Sequence, residues 1–368
     1  MERSPQRGIA LLGFARVAGT ERDRSGRSEL LEDGTPNDLF GSFGSGLEWT
    51  GVGERYLAVC DRGPADGATS FACRWHELDV RVRPGATEPV QVELVSTTLL
   101  VDEDGRGFTG LASALVPTET RAERLDPEAI RIDTAGHVWI ADEYSMQLFE
   151  FSRAGRLLRR HAPPAAFPVA RPSGDRKREL ADSASGRTPN RGFEGLARVE
   201  PIGAFYALAQ GALLQDGGER GTHARCLEFD PVTGRTAQYA VQLERPTDSW
   251  NDLLAFGEGR FLALVRDAEK GAKRTRRSLV QLGLAGATEV SAVERLRDGS
   301  DVVPMSSFTF LDLLEPEWGL VAAGLPDKVE ALALGPDLSD GRRLLLVATD
   351  NDVDADEATW VIAFALRR

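Results

Sequence analysis

Four glutamates of this chain share a short sequence context. Glu48 sits in Gly-Leu-Glu-Trp, Glu128 in Asp-Pro-Glu-Ala-Ile, Glu194 in Gly-Phe-Glu-Gly-Leu-Ala and Glu330 in Lys-Val-Glu-Ala-Leu-Ala. Asp252, in Asn-Asp-Leu-Leu-Ala, is a variant of the same string. Each acid is followed by an apolar run, a Gly-rich turn, a second apolar run and a polar cluster. The clusters are Asp61-Arg62-Gly63, Asp142-Glu143-Tyr144, Gln210-Gly211, Arg266-Asp267 and Asp350-Asn351. Carboxylates gathered within a few ångströms raise one another's pKa or recruit a cation. Oxygen-only donors suit Ca²⁺ or, less well, Mg²⁺, and not zinc or copper. Glu48, Asp61, Glu128, Glu194, Asp252, Asp267, Glu330 and Asp350 are therefore the candidate metal ligands. Glu128, Asp142 and Glu194 are the candidate general bases. Arg62, Arg191 and Arg266 can grip an anionic substrate bidentately, and Tyr144 stands in the same clusters as a further substrate contact. For any single acid, a structural role as a cap on backbone amides carries equal weight.

These residues need a scaffold that brings them to one place. An acid before one strand and a cluster after the next lie at the same end of a β-hairpin. Repetition of that unit predicts an all-β chain folded as one β-propeller over residues 1–368, with the acids around one mouth of its channel. The repeat acids stand between 58 residues apart, from Glu194 to Asp252, and 80 residues apart, from Glu48 to Glu128. A blade needs about 40–50 residues. The surplus favours six blades, with five and seven open, and Gly107–Ala112 is the candidate remnant of an extra one. Ile9–Val17 and Thr359–Leu366 would be open sheet edges unless they pair and close the ring.

Between the acids, apolar runs such as Tyr56–Cys60, Val90–Leu100, Phe205–Gln210 and Arg342–Thr349 read as strands punctuated by Gly, Pro, Asp and Asn. Residues 161–190 carry five prolines and a charged run and read as a long surface loop near the mouth. Lys270–Arg277 reads as a solvated hairpin tip, and Phe310–Leu314 as a short helix. Asp350–Glu357 opens like an EF-hand loop but has Ala355 where the sixth-position glycine belongs.

Composition excludes several classes. Net charge is −13 and the pI about 5.0, which argues against nucleic-acid binding. No apolar stretch is long enough to span a membrane. There is no Gly-x-Ser-x-Gly elbow, no His-Glu-x-x-His and no phosphate loop. His76 and His137 read as core or blade histidines. Cys60, Cys73 and Cys226 cannot all pair within the chain and read as buried free thiols. Ile9–Val17 is read as a strand and not as a signal peptide, which leaves a cytoplasmic protein or one whose export signal is missing from the sequence.

The strings 44–64, 126–144, 190–197, 252–267 and 329–352, taken together and in order, resemble the phytase-like family, also described as esterase-like activity of phytase. The resemblance implies a β-propeller with phosphoesterase or esterase activity and a periplasmic or extracellular location. Ala129 and Ala331 stand where the family pattern expects glycine. Cys60, Ala141 and Thr349 stand where it expects serine. Two functions follow as expectations. One is a Ca²⁺-assisted hydrolase of a phosphate ester or another small anionic ester, with a lactonase-type reaction as a neighbour. The alternative is a non-catalytic binding or scaffold propeller with a structural cation or none. The oligomeric state stays open.

Overall fold

In the computed structural model, which describes residues 8–112 and 124–367, twenty strands form five antiparallel four-stranded sheets. The first blade is β2 (Gly46–Trp49), β3 (Arg55–Val59), β4 (Arg74–Val82) and β5 (Val90–Leu99). The second is β6 (Pro127–Ile132), β7 (Val138–Asp142), β8 (Leu148–Phe151) and β9 (Leu157–His161). The third is β10 (Phe193–Val199), β11 (Ala204–Ala209), β12 (His223–Phe229) and β13 (Thr236–Gln242). The fourth is β14 (Ser249–Gly257), β15 (Arg260–Arg266), β16 (Arg277–Gly283) and β17 (Ser306–Asp312). The fifth joins both chain ends: β18 (Val329–Asp337), β19 (Arg343–Thr349) and β20 (Thr359–Leu366) are completed by β1 (Ile9–Val17). Ile9 pairs with Leu366 and Val17 with Thr359, so the two edges cover each other. The inner strands β2, β6, β10, β14 and β18 touch in that order and close a ring.

The second strands β3, β7, β11 and β19 read as unbroken apolar runs because both of their faces are buried, and alternate residues serve two interfaces. Tyr56, Ala58 and Cys60 pack against Ala331, Leu346 and Val361 of blade 5. Leu57 and Val59 pack against Ile130 and Ile140 of blade 2. Equivalent apolar layers separate blades 2 and 3, 3 and 4, and 4 and 5.

There are five blades, not six. The surplus residues lie in excursions. In the longest interval, Gly107–Ala112 is no blade: Thr109 makes isolated bridges to Ala72 and Arg124, and Phe108 packs into the seam between blades 1 and 2. In the interval after Asp252, residues 284–305 fold back on blade 3, where Val290 and Leu296 cover Ala240. Phe310 belongs to strand β17, not to a helix. Residues 161–190 contain a helix, Arg176–Asp182, whose N-cap Asp175 accepts from the amides of Lys177 and Arg178. Its buried Glu179 holds Arg187 at 2.6 and 3.1 Å. Lys270–Arg277 is not a bare solvated tip, since Arg277 is buried against Asp267 at 2.7 Å and Arg274 pairs with Asp327 at 3.0 Å. All three cysteines are free and buried. His76 is a core histidine between Cys60 and Thr97, and burial lowers its pKa to about 3.

Candidate functional site

The inner strands carry a repeated irregularity at their first turn. The β6–β7, β10–β11 and β18–β19 ladders each skip one residue, and the skipped residues are Glu128, Glu194 and Glu330. A bulge of this kind re-aims a side chain at the rim of a sheet. In β14 the skipped residue is Asn251, not Asp252. The partner positions follow a second rule. The amides of Glu143, Gln210 and Asp350 donate to the carbonyls of Asp126, Gly192 and Lys328, at 3.0, 2.8 and 2.9 Å. Glu143, and not Asp142, is therefore the counterpart of Asp350.

The carboxylates sort into two layers. The upper layer surrounds the mouth. Glu128 faces Glu194, Asp126, Glu143 and Asp61, and burial first, then these like charges, push its pKa well above the ordinary carboxylate range. Glu194 accepts from the Gln210 amide, and burial together with Glu143 and Glu330 pushes it up likewise, with Arg266 opposing. Asp61 accepts from Ser42 Oγ at 2.7 Å and the Gly63 amide at 2.8 Å, and is raised by burial and by Asp350. Asp126 and Asp350 are raised by burial to about 6, held from going further by Arg62 and Lys328. Three cations stand among them. Arg62 Nη1 lies 2.5 Å from Asp126 and 3.2 Å from Glu143. Arg266 lies 2.9 Å from Glu330. Lys328 lies 3.2 Å from Asp350 and also contacts Asp352. Arg62 Nε and Glu143 Oε1 are buried and have no hydrogen-bond partner among the described residues.

The lower layer closes the channel. Asp252 accepts from Arg131 at 3.0 Å and from the amides of Leu253 and Leu332, each at 2.7 Å. Arg131 also donates to the carbonyls of Leu47 and Leu253. One ion pair thus ties β2, β6, β14 and β18 together. Glu48 lies at this depth, 3.9 Å from Arg131 Nε, and burial raises its pKa to about 7. The residues paired at the level of Asp252 are Gly46, Ala129, Gly195 and Ala331. A Cβ on Gly46 would stand 2.9 Å from Ala129 Cα, and one on Gly195 2.7 Å from the Leu253 amide nitrogen. Small residues let the inner strands converge there, and Asp252 fills the remaining space.

Several expected site residues are therefore elsewhere or already engaged. Asp252 and Glu48 sit below the mouth. Asp142 spends both oxygens on the amides of Asp126 and Ser145 and on Ser145 Oγ, which leaves it no room to act as a base. Asp267 is turned to Thr275 and Arg277. Burial would raise its pKa, but those hydrogen bonds win and hold it at about 2. Tyr144 gives its hydroxyl to the Gly110 carbonyl at 2.6 Å, so it offers no free donor to a substrate. Arg191 donates to the Pro246 carbonyl at 2.9 Å and reaches Asp248. Four members of the site were not singled out by the sequence: Asp126, Lys328, Glu143 and Asp352. The signal was present, since Asp126 and Lys328 each stand two residues before a repeat glutamate.

The mouth loops also store backbone strain. Every non-glycine residue with positive φ among the described residues, namely Ser42, Ala65, Asp66, Met146, Asn190, Asp352 and Val353, lies in a loop at this end. Such conformations cost of order 1–3 kcal/mol each and gather at functional sites.

The sequence profile described as esterase-like activity of phytase matches residues 38–353. The chain belongs to the phytase-like family. An uncharacterized secreted protein of Arthroderma benhamiae is 29% identical in an alignment of 339 positions that covers 71% of this chain and 64% of that protein. The chain thus spans just under two thirds of that relative's length. Among solved structures, a GH43 β-1,3-galactosidase bound to galactodeoxynojirimycin is 11% identical with a TM-score of 0.44 over 94% of both chains. A Staphylococcus aureus virginiamycin B lyase is 7% identical with a TM-score of 0.35, over 98% of this chain and all of the other.

Proposed function

We propose that this phytase-like protein binds a hard divalent cation, Ca²⁺ by preference, at the upper layer and hydrolyses a small anionic ester there, phosphate esters first. One observation carries the reading. Asp61, Asp126, Glu128, Glu143, Glu194, Glu330, Asp350 and Asp352 converge on one mouth, where among the described residues Arg62, Arg266 and Lys328 pair with them and Arg191 faces Glu143 and Glu194. The residues suit a cation. Asp126, Glu128 and Glu143 offer one oxygen each within 4.8 Å of one another, and so do Asp61, Asp350 and Asp352. The orphaned Glu143 Oε1 is an acceptor with its desolvation uncompensated. All-carboxylate donors select Ca²⁺ over softer ions.

A bound cation would supply Lewis-acid polarisation of an ester oxygen. The chain's own residues do the rest. Arg62 and Arg266 hold the anionic group at the rim. Glu128, ringed by acids, takes a proton readily and serves as the base once a cation lowers its pKa. Glu194, fixed by Gln210, orients the ester. Export, as named for the Arthroderma benhamiae relative, is part of the proposal.

A second reading has its own support. Arg62, Arg266 and Lys328 are each already paired with an acid, as in a binding propeller that performs no chemistry. Ca²⁺ titration of chelator-stripped protein, followed by melting temperature and by turnover of a phosphate-ester panel, separates the two. A ligand at a hundredfold excess over Kd stabilises by about 2.7 kcal/mol. Stabilisation with Ca²⁺-dependent turnover, both lost in Glu128→Gln, supports the hydrolase. Stabilisation without turnover leaves the binding propeller, and no shift at millimolar Ca²⁺ removes the cation from the site.

A further inference from the structure

The end of blade 2 opposite the mouth holds a different donor set. The β6–β7 turn carries Asp133 and His137, and Glu150 of β8 reaches them from the same face of the sheet. His137 Nδ1 lies 2.7 Å from Glu150 Oε1 and 3.7 Å from Asp133 Oδ2. One atom of each of the three lies within 4.8 Å of the others. We propose that Asp133, His137 and Glu150 form a first-row transition-metal site, of the class that takes Zn²⁺, independent of the acidic mouth.

Four observations carry it. First, the spacing fits. Zn–N and Zn–O bonds of about 2.0–2.2 Å place the donors of a tetrahedral site about 3.3 Å apart. The separations of 2.7 and 3.7 Å bracket that value, so shifts of about half an ångström complete the geometry. Second, the donors are chemically distinct from those of the mouth. An imidazole nitrogen with two carboxylates suits Zn²⁺ and its neighbours, where the all-oxygen mouth suits Ca²⁺. Two carboxylates also leave a local charge that a divalent ion neutralises.

Third, the supporting contacts hold the donors in place. Asp133 Oδ1 accepts from the amides of Ala135 and His137, each at 2.9 Å, and Oδ2 accepts from Trp139 Nε1 at 3.0 Å. Glu150 Oε2 meets His161 Nε2 at 3.3 Å. His161 stacks on Trp139, which stacks in turn on Phe205 of blade 3. Outer contacts of this kind orient metal ligands. Fourth, an ion can enter, because the His137 side chain is 39% exposed while Glu150 is 13% exposed. Arg159, paired with Glu150 across the β8–β9 ladder, is the cation that opposes binding.

The test is a Zn²⁺ titration of the chelator-stripped full chain by calorimetry, in the presence of saturating Ca²⁺, with Co²⁺ as a spectroscopic probe. The expected result is one Zn²⁺ per chain and the visible bands of a four-coordinate Co²⁺ centre. His137→Ala weakens Zn²⁺ binding at least tenfold and abolishes the bands. Glu150→Gln does the same, which guards against a folding defect of either variant. Glu128→Gln, at the mouth, leaves both signals unchanged. If His137→Ala and Glu150→Gln bind Zn²⁺ like the parent, or if the parent binds none, the cluster is only a hydrogen-bonded turn and the proposal fails.

Discussion

Asp252 and Glu194 are buried carboxylates one layer apart in the same channel, and their surroundings are opposite. Asp252 meets an arginine and two backbone amides. Glu194 meets one amide side chain and two other glutamates, with Arg266 opposing them. The lower layer is a satisfied ion pair that locks four inner strands. The upper layer is crowded with like charge and strained loops. What separates them is one position of ladder register: the bulge falls on Glu194 in β10 but on Asn251 in β14. Because side chains alternate and a bulge re-aims one of them, a slip of one residue turns a mouth carboxylate into a core staple.

The largest test of this contrast is Asp252→Ala. It leaves Arg131 buried without its hydrogen-bonded carboxylate and with Glu48 3.9 Å away, and removal of one member of a buried pair costs about 3–5 kcal/mol. Urea unfolding should show a loss of that size. A loss under 1 kcal/mol would mean that the lower layer is not a lock.

The upper layer should respond to pH with a defined sign. Asp61, Glu128 and Glu194 titrate well above the ordinary range, and Asp126 and Asp350 at about 6. The native state therefore binds protons that the unfolded chain, with carboxyl pKa values near 4, does not. Without divalent cations, stability should rise as pH falls from about 7 to about 5. Each pKa unit is worth about 1.4 kcal/mol. Glu194→Gln should stabilise the cation-free protein at pH 8 by about 1–2 kcal/mol and flatten the profile. Calorimetric melting across this range decides it, and a stability that falls between pH 7 and 5 would contradict the crowding. Below about pH 4 the trend reverses as Asp267, held at about 2, begins to lose its partners.

The smallest effect concerns Tyr144. Tyr144→Phe removes the hydrogen bond to Gly110 and should cost about 1 kcal/mol. Affinity for a phosphate ester should be unchanged. A weaker ligand affinity would return Tyr144 to the substrate contacts.

The repeat of acid, strand, turn, strand and polar cluster was enough to specify a propeller, the pairing of Ile9–Val17 with Thr359–Leu366, and the glutamates at positions 128, 194 and 330, because period-two burial and hairpin geometry are local consequences of residue order. The blade number was not readable from it. Excursions such as residues 100–112 and 284–305 lengthen an interval as much as a blade would, and only their packing onto existing sheets tells them apart. The helix Arg176–Asp182 was hidden because its charged run matches a solvated loop, while its stability rests on the contact between Glu179 and Arg187. The roles of single acids were the last thing to be decided. Whether Asp142, Asp252 or Glu194 faces an amide, an arginine or another carboxylate depends on bulges and on strands as far as 121 residues apart, as Arg131 and Asp252 are, and electrostatic surroundings of that kind exist only once the ring has closed.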